Sequence, residues 1–345
     1  MLINTVILVA SLAAGAEKTS DFVSDGLIAG SVMTTTADSE IKCVGWARLC
    51  PDQTPMRENT LFDVASLTKP VTAMLVAILA SEGKVDVDQP FVKYLPGCAV
   101  GPDCKITVRD LAMHRSGFET KNFAFDDPAD EATFRSRVLA HLPKFGCPNG
   151  FYYSCHNYIL LGLIAERVGG KRLDALAKEK LFEPLGMKDT CWGPVKDDGR
   201  PMRSAYRRVE PGRIVDHIAG HCPCPIGNAG LFTTAGDMRK LLADLLARKT
   251  FAPSVYELMF GAQSCADGTK RSFGWDMSDA RRPAGVSARA IWHTGSTGQT
   301  ILADPDLSLG IVVLTSRWGR DDKQGHDDGI RARRQIVETI VSGRR

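Results

Sequence analysis

After its first sixteen residues the chain has no apolar run long enough to cross a bilayer, so stable membrane insertion is not expected. It has no strong imbalance of charge either: the formal net charge is +3 over 345 residues, with Lys and Arg spread along the sequence. The one basic cluster, Arg331, Arg333 and Arg334, falls on an amphipathic terminal pattern and reads as a solvated helix face. Nucleic acid is therefore not an expected partner. There is no internal repeat and no low-complexity linker to separate modules. The first sixteen residues are the exception on apolarity. MLINTVILVASLAAGA has the length of a leader's apolar region, and Ala14-Gly15-Ala16 fits a small-x-small cleavage site, but no Lys or Arg precedes the run. Export to the periplasm or medium is the expectation; the alternatives are an N-terminal element of the fold and a cytoplasmic protein.

Cysteine, by contrast, is plentiful. The ten are Cys43, Cys50, Cys98, Cys104, Cys147, Cys155, Cys191, Cys222, Cys224 and Cys265. An even count this high fits an oxidising compartment. Cys98 and Cys104 flank a Gly/Pro loop and are the best local pair by spacing. Cys43 with Cys50 and Cys147 with Cys155 are further options, and buried reduced thiols are the opposing reading. Hydrophobic residues at 44% and charged residues at 24% are ordinary for a globular chain of this size.

Residues 62–84, FDVASLTKPVTAMLVAILASEGK, contain Ser66-Leu67-Thr68-Lys69. Val71, Met74, Leu75, Ile78 and Leu79 recur at helical spacing, and Gly83 marks the end. Pro70 is tolerable only in the first turn. Ser66 should thus stand at the head of a buried helix, with Lys69 three residues on and on the same face. Burial lowers a lysine's preference for charge, so a neutral Lys69 amine is positioned to take the serine proton. The helix N-terminus offers free N–H groups to a developing oxyanion. Taken alone, Ser-x-x-Lys is equally a helix start with a surface lysine.

Upstream, Ala29–Met33 and Ile41–Ala47 read as strands. Thr107 caps a short helix ending near Ser116-Gly117. His114 within it is expected to pack or to hydrogen-bond a loop. Ser116 lacks the Gly-x-Ser-x-Gly frame of a nucleophile elbow. Helical patterns follow at 129–142, 159–168 and 173–181, and a capped helix starts near Thr233 or Thr234. From 271 the pattern turns to strands, and a helix covers about 328–342. Trp275 and Trp292 are candidates for lining the cleft, with core packing the preferred expectation. His217, His221, Cys222 and Cys224 have the residue types of a soft metal site, but Pro223 and Pro225 break local regularity, so a disulfide or loop packing is preferred to a metal. The order of strands, helices, strands and helix gives an α+β architecture. A mostly helical segment is inserted between two sequence halves of one antiparallel sheet.

Six segments in order, FDVASLTKP, ITVRDLAMHRSGF, FYYSCHNYILLGLIAERVGG, LFEPLGMKDT, NAGLFTTAGDM and WHTGSTG, resemble the serine β-lactamase / penicillin-binding protein superfamily. The likeness is to the branch that holds class C β-lactamases, D-alanyl-D-alanine carboxypeptidases and family VIII esterases. It spans about residues 20–340. It implies an antiparallel β-sheet flanked by helices with an inserted mostly helical subdomain (β-lactamase/transpeptidase-like). After a leader at 1–16 this would be one domain, its sheet part at about 17–65 and 265–345 and its helical part at about 66–264. It implies Ser66 as the acylated nucleophile, Lys69 as its activating amine and Tyr153 as the phenol sharing proton transfer. The N–H groups of Ser66 and Ser296 would form the oxyanion hole, and His293, Thr294 and Gly295 would line the substrate strand. It implies no cofactor and no metal.

Two positions depart from the pattern. Cys155 stands where the family has the Asn of Tyr-x-Asn, and a thiol hydrogen-bonds a substrate amide only weakly. Asn157, nearby, is not assumed to replace it. His293 stands where lactamases and transpeptidases usually carry Lys. An ordinary histidine is mostly neutral at pH 7, so activity on anionic substrates should fall as pH rises through its titration. The expected function is a serine hydrolase acting through an acyl-enzyme on small esters or amides. A β-lactamase or D,D-peptidase is the alternative, and a non-catalytic protein binding acyl ligands or peptidoglycan is the third. The partner is accordingly a small acyl substrate or a cell-wall peptide.

Overall fold

The structure is a computed structural model that describes residues 2–37, 39–49, 52–101, 103–118, 130–140, 150–202, 210–317 and 323–343. Helix α1 (Leu2–Ser24) leads into the hairpin β1 (Ile28–Thr35) and β2 (Ile41–Arg48), followed by the short β3 (Thr54–Pro55) and β4 (Phe62–Asp63). The helical segment then runs through α2 (Thr68–Ser81), α3 (Val108–Ala112), α4 (Glu131–Ala140), α5 (Cys155–Gly169), α6 (Leu173–Ala177) and α7 (Glu183–Leu185). Strand β5 (Cys191–Trp192), α8 (His217–Gly220) and β6 (Leu231–Thr233) come next, then α9 (Ala235–Ala247) and α10 (Pro253–Phe260). The chain closes with β7 (Gln263–Ser264), β8 (Lys270–Ser272), β9 (Trp275–Asp276), β10 (Ile291–Gly295), β11 (Gln299–Asp304), β12 (Leu309–Arg317) and α11 (Lys323–Ser342).

Nine strands form one sheet in the order β3-β2-β1-β12-β11-β10-β9-β8-β7, and every pairing is antiparallel. The first and last thirds of the chain meet where β1 pairs with β12, Val32 opposite Leu314. Helices α1 and α11 cover one face: Leu12, Phe22, Ile336 and Ile340 share a core with Leu302, Ile311 and Trp292. The other face joins α9 and the helical segment in a larger core that holds Trp275. Both tryptophans are buried, as their surroundings in sequence suggest. Strands β4, β6 and β5 make a second, small sheet that ties the entry of α2 to the segment before α9.

Local signals explain most boundaries. Thr107 and Asp110 form a reciprocal capping box on α3. Thr234 caps α9 by accepting the Asp237 N–H. Gly170 and Gly186, both left-handed, end α5 and α7. Helix α1 runs unbroken through Ala14-Gly15-Ala16, so the segment with a leader's composition is here the first part of a helix reaching Ser24. The terminal helix begins earlier than its apolar pattern suggests. One of its arginines also departs from the solvated face: Arg333 is buried and donates to the carbonyls of Gly295 and Gln299 at 2.5 and 3.4 Å. Cys98 and Cys104 are both free thiols, so the preferred local pair is not bonded. Cys50 and Cys147 lie outside the described residues, as do the ends of the 129–142 helical pattern.

Two helices and a loop cross at close range behind Lys69. A β-carbon on Gly227 would sit 2.2 Å from the Tyr158 carbonyl and 2.9 Å from the Thr72 methyl. Backbone cannot yield by that much without moving α2 or α5. Gly227→Ala is expected to cost about 2–4 kcal/mol in urea unfolding, an overpacking penalty at the upper end of the usual range. A loss under about 0.5 kcal/mol would show that the crossing is looser than it looks.

Candidate active site

Ser66 sits half-buried on a single 3-10 turn, Ala65–Leu67, that feeds α2. Ala65, just before it, has φ 44°, a left-handed conformation that costs a non-glycine residue on the order of 1–3 kcal/mol. The neighbours enforce it. The Ala65 N–H donates to Asp63 Oδ1 at 2.9 Å, the Thr68 hydroxyl donates to the Ala65 carbonyl at 2.7 Å, and the Leu231 N–H donates to that hydroxyl at 3.2 Å. Ser66 is thus presented by a strained turn that two other segments hold in place.

Lys69 is fully buried. Its Nζ donates to Ser66 Oγ at 3.0 Å and to the Asn228 carbonyl at 2.9 Å. It lies 5.0 Å from the centre of the Tyr153 ring. Burial opposes its charge, as the sequence suggests. The potentials of Cys155 and Tyr153, with the Tyr153 hydroxyl hydrogen-bonded to it and Asp216 farther off, outweigh burial and hold its pKa above the usual lysine range. The expectation of a neutral amine is therefore corrected: the structure makes Lys69 an ammonium beside the serine.

Strand β10 brings His293, Thr294 and Gly295 to the same place. A β-carbon at Gly295 would meet the Val64 carbonyl at 2.5 Å, so glycine is what lets the strand lie against the Ser66 turn. The following turn is fastened there by Thr297, whose hydroxyl donates to the Asp63 carbonyl at 3.0 Å. Ser296 is exposed in that turn. Cys155 is the first residue of α5, half-buried, and close enough to Lys69 to act on its charge. Asn157 does not stand in for the missing amide. It is buried, with Oδ1 accepting from Ser116 Oγ at 2.7 Å and Nδ2 3.2 Å from His114 Nδ1.

His293 lies 6.5 Å from Tyr153, ring to ring, and is almost fully buried. Burial first, then the Arg271 guanidinium and Lys69, pushes its pKa well below 6.5. This corrects the expectation of a titration near neutral pH: His293 is already neutral there. Arg271 is a component the residue pattern did not reveal. It is 2% exposed, its Nη1 meets Asp276 at 3.2 Å, and its Nε and Nη2 have no hydrogen-bond partner among the described residues. Asn228, also unforeseen, contributes its carbonyl, a role that leaves no trace in residue type. In the His217–Cys224 cluster the two exposed histidine rings lie 4.8 Å apart at the two ends of α8, and the Cys222 and Cys224 thiols are free and hydrogen-bond each other, so no disulfide joins them.

Burial pushes three histidines down: His114 and His293 well below 6.5, and His156 to about 3. Above about pH 6.5 neither folded nor unfolded chain protonates them. Below it the unfolded chain alone takes up protons, so stability is lost as pH falls. Each buried histidine removes up to about 1.4 kcal/mol per pH unit in that range. The melting temperature should be clearly lower at pH 5.5 than at 7.5, and His156→Gln should flatten the slope. A melting temperature constant over that range would refute neutral burial.

The family model described as Beta-lactamase matches residues 19–335. The N-acetylmuramyl-L-alanine amidase of Bacillus subtilis (strain 168) is 29% identical, the match covering 76% of this chain and 69% of that one. Esterase EstB of Burkholderia gladioli is 27% identical, over 76% and 79%. In structure, EstCE1, a hydrolase with promiscuous acyltransferase activity, superposes with a TM-score of 0.76 at 22% identity, covering 98% of this chain and 100% of that chain. The order of the motifs, the nine-stranded antiparallel sheet and the Ser66–Lys69 pair agree with that match, and the chain belongs to the Beta-lactamase family of hydrolases.

Proposed function

We propose that the protein is a serine hydrolase that forms an acyl-enzyme on Ser66 and acts on small esters or amides. The observation that carries this is the buried Lys69 ammonium, 3.0 Å from Ser66 Oγ and facing Tyr153. A fully buried charge on a helix core face has no packing rationale and is costly without partners. With Lys69 an ammonium, Tyr153 acts from its phenolate form: the phenolate takes the Ser66 proton and becomes the phenol, and the ammonium offsets the negative charge growing on Oγ. Oγ attacks the acyl carbon, and the N–H groups of Ser66 and Ser296 receive the oxyanion. Tyr153 returns the proton to the leaving oxygen or nitrogen as its bond to the acyl carbon breaks. Water then repeats the sequence on the acyl-Ser66 ester and releases a carboxylic acid.

The substrate reading rests on Cys155 and the neutral His293. Neither holds a fixed charge toward a carboxylate, which favours an uncharged acyl group. One observation favours the second reading, a β-lactamase or D,D-peptidase: the unpaired Arg271 nitrogens leave a positive potential beside His293. The relatives include an esterase and an amidase, so either acyl class is compatible with the family.

Intact-protein mass spectrometry after p-nitrophenyl acetate, a labelled penicillin and a fluorophosphonate decides between them. Mass should appear on Ser66, and Ser66→Ala should abolish it and lower ester turnover at least ~10³-fold. Tyr153→Phe should lower turnover ~10²–10⁴-fold. Fast turnover of the ester with little penicillin adduct supports the first reading, and the reverse pattern supports the second. Mass from none of the three probes would remove Ser66 as a nucleophile. His293→Lys should raise the penicillin-to-ester ratio of kcat/KM by ~10-fold, the value of one well-placed charge-assisted contact; no gain would remove His293 from substrate discrimination.

A further inference from the structure

His114 lies outside the chemistry just described, yet the segment carrying Tyr153 is built around it. The residue follows α3 with φ 58°, in the left-handed region, and is fully buried. Its carbonyl accepts the Tyr152 N–H at 2.9 Å. Its ring Nδ1 accepts the Ser154 N–H at 3.2 Å and lies 3.2 Å from Asn157 Nδ2. The hydrogen bonds from Tyr152 and Ser154 bracket Tyr153 in sequence, and Asn157 adds a third tether one helical turn on. The His114 ring itself lies 4.5 Å from the Tyr153 ring at 33° and 5.1 Å from the Tyr158 ring. Tyr158 is pinned in turn, its hydroxyl donating to the Ala112 carbonyl at 2.7 Å.

The partners also assign the ring's protonation. Both groups addressing Nδ1 are donors, so Nδ1 carries the lone pair and Nε2 the proton. A protonated imidazole would turn an N–H against those donors. Burial, then the charges of Arg271, Lys69 and Arg281, disfavour that form, and its pKa is pushed well below 6.5. A left-handed, buried, obligately neutral histidine is an expensive way to fill space, and an apolar residue would fill it without polar atoms to satisfy.

We propose that His114 is a positioning residue for Tyr153, fixing the phenol against Lys69 and Ser66 through its ring face and its Nδ1 lone pair. It touches no reacting atom in this scheme. The proposal rests on Tyr153 carrying the Ser66 proton, and its test separates the two ideas. His114→Asn suits the left-handed backbone and keeps an acceptor but removes the ring. It should lower the rate of Ser66 acylation by p-nitrophenyl acetate ~10²-fold, the scale of an ångström's misplacement, with KM changed less than ~3-fold. In a Tyr153→Phe background the same change should cost almost nothing further, because the group it positions is gone. A merely structural role would lower the rate as much in either background, and that result would overturn the proposal. Crystal structures of the parent and His114→Asn give a readout independent of activity. A Tyr153 ring displaced from its 4.5 Å stacking site supports positioning, and an unmoved ring refutes it. Absence of acylation in the parent would sink the nucleophile reading alone, leaving the ring position to decide this one.

Discussion

The structure is organised by one buried charge. The Lys69 ammonium has no access to solvent, so its three donors must be met by protein. Ser66 Oγ and the Asn228 carbonyl accept two of them, and Tyr153 and Cys155 supply the potential that keeps the charge in place. These groups come from the entry to α2, the loop before β6 and the head of α5. Those segments are far apart in sequence, and the ammonium requires all three to converge to within hydrogen-bond distance. The close crossings at Gly227 and Gly295 are what make that convergence sterically possible.

The same requirement explains the outer scaffold. The turn that presents Ser66 is strained at Ala65, and strain persists only where surroundings over-determine it. The second sheet provides that restraint from one side, through β4 and β6. The end of β10 provides it from the other, through Gly295 and Thr297. Arg333 then reaches from α11 on the far face to hold the Gly295 carbonyl. A helix that covers one side of the sheet thereby stiffens the strand edge facing the serine.

Much of this is legible in the sequence because it is local. The apolar spacing after Lys69 gives α2, the Thr107 and Thr234 caps give two helix starts, and short β-rich runs between turn residues give β1, β2 and the last strands. The antiparallel sheet interrupted by helices follows from the order of those patterns. Ser66 and Lys69 are readable as neighbours because three residues on a helix share a face. What the sequence does not disclose is set by contacts between distant segments. Burial of Lys69 predicts a neutral amine until Tyr153 and Cys155 are placed beside it. His293 reads as a neutral-pH titrator until Arg271 and the surrounding core are known. Arg333 has the spacing of a surface residue, and only the fold shows the carbonyls it faces. Asn228 acts through its backbone, for which no side-chain signal exists.

These corrections bear on specificity in opposite directions. Making His293 permanently neutral removes the one cation the strand might have presented, while Cys155 removes the strongest amide reader. Both push toward a small uncharged substrate. Yet after burial the next cause of His293's neutrality is Arg271, whose own charge is only partly met by Asp276. The positive potential has been moved from the strand's side chain into the wall behind it. A buried guanidinium cannot form the direct ion pair that an exposed lysine forms, but in a low-dielectric wall its field acts over several ångströms with little screening. Such a field favours negative charge in the cleft, whether a substrate brings it or the proposed reaction develops it. A positive wall behind neutral contacts is therefore a compromise between the two: the residues on the strand present no fixed charge, while the potential around them stays positive.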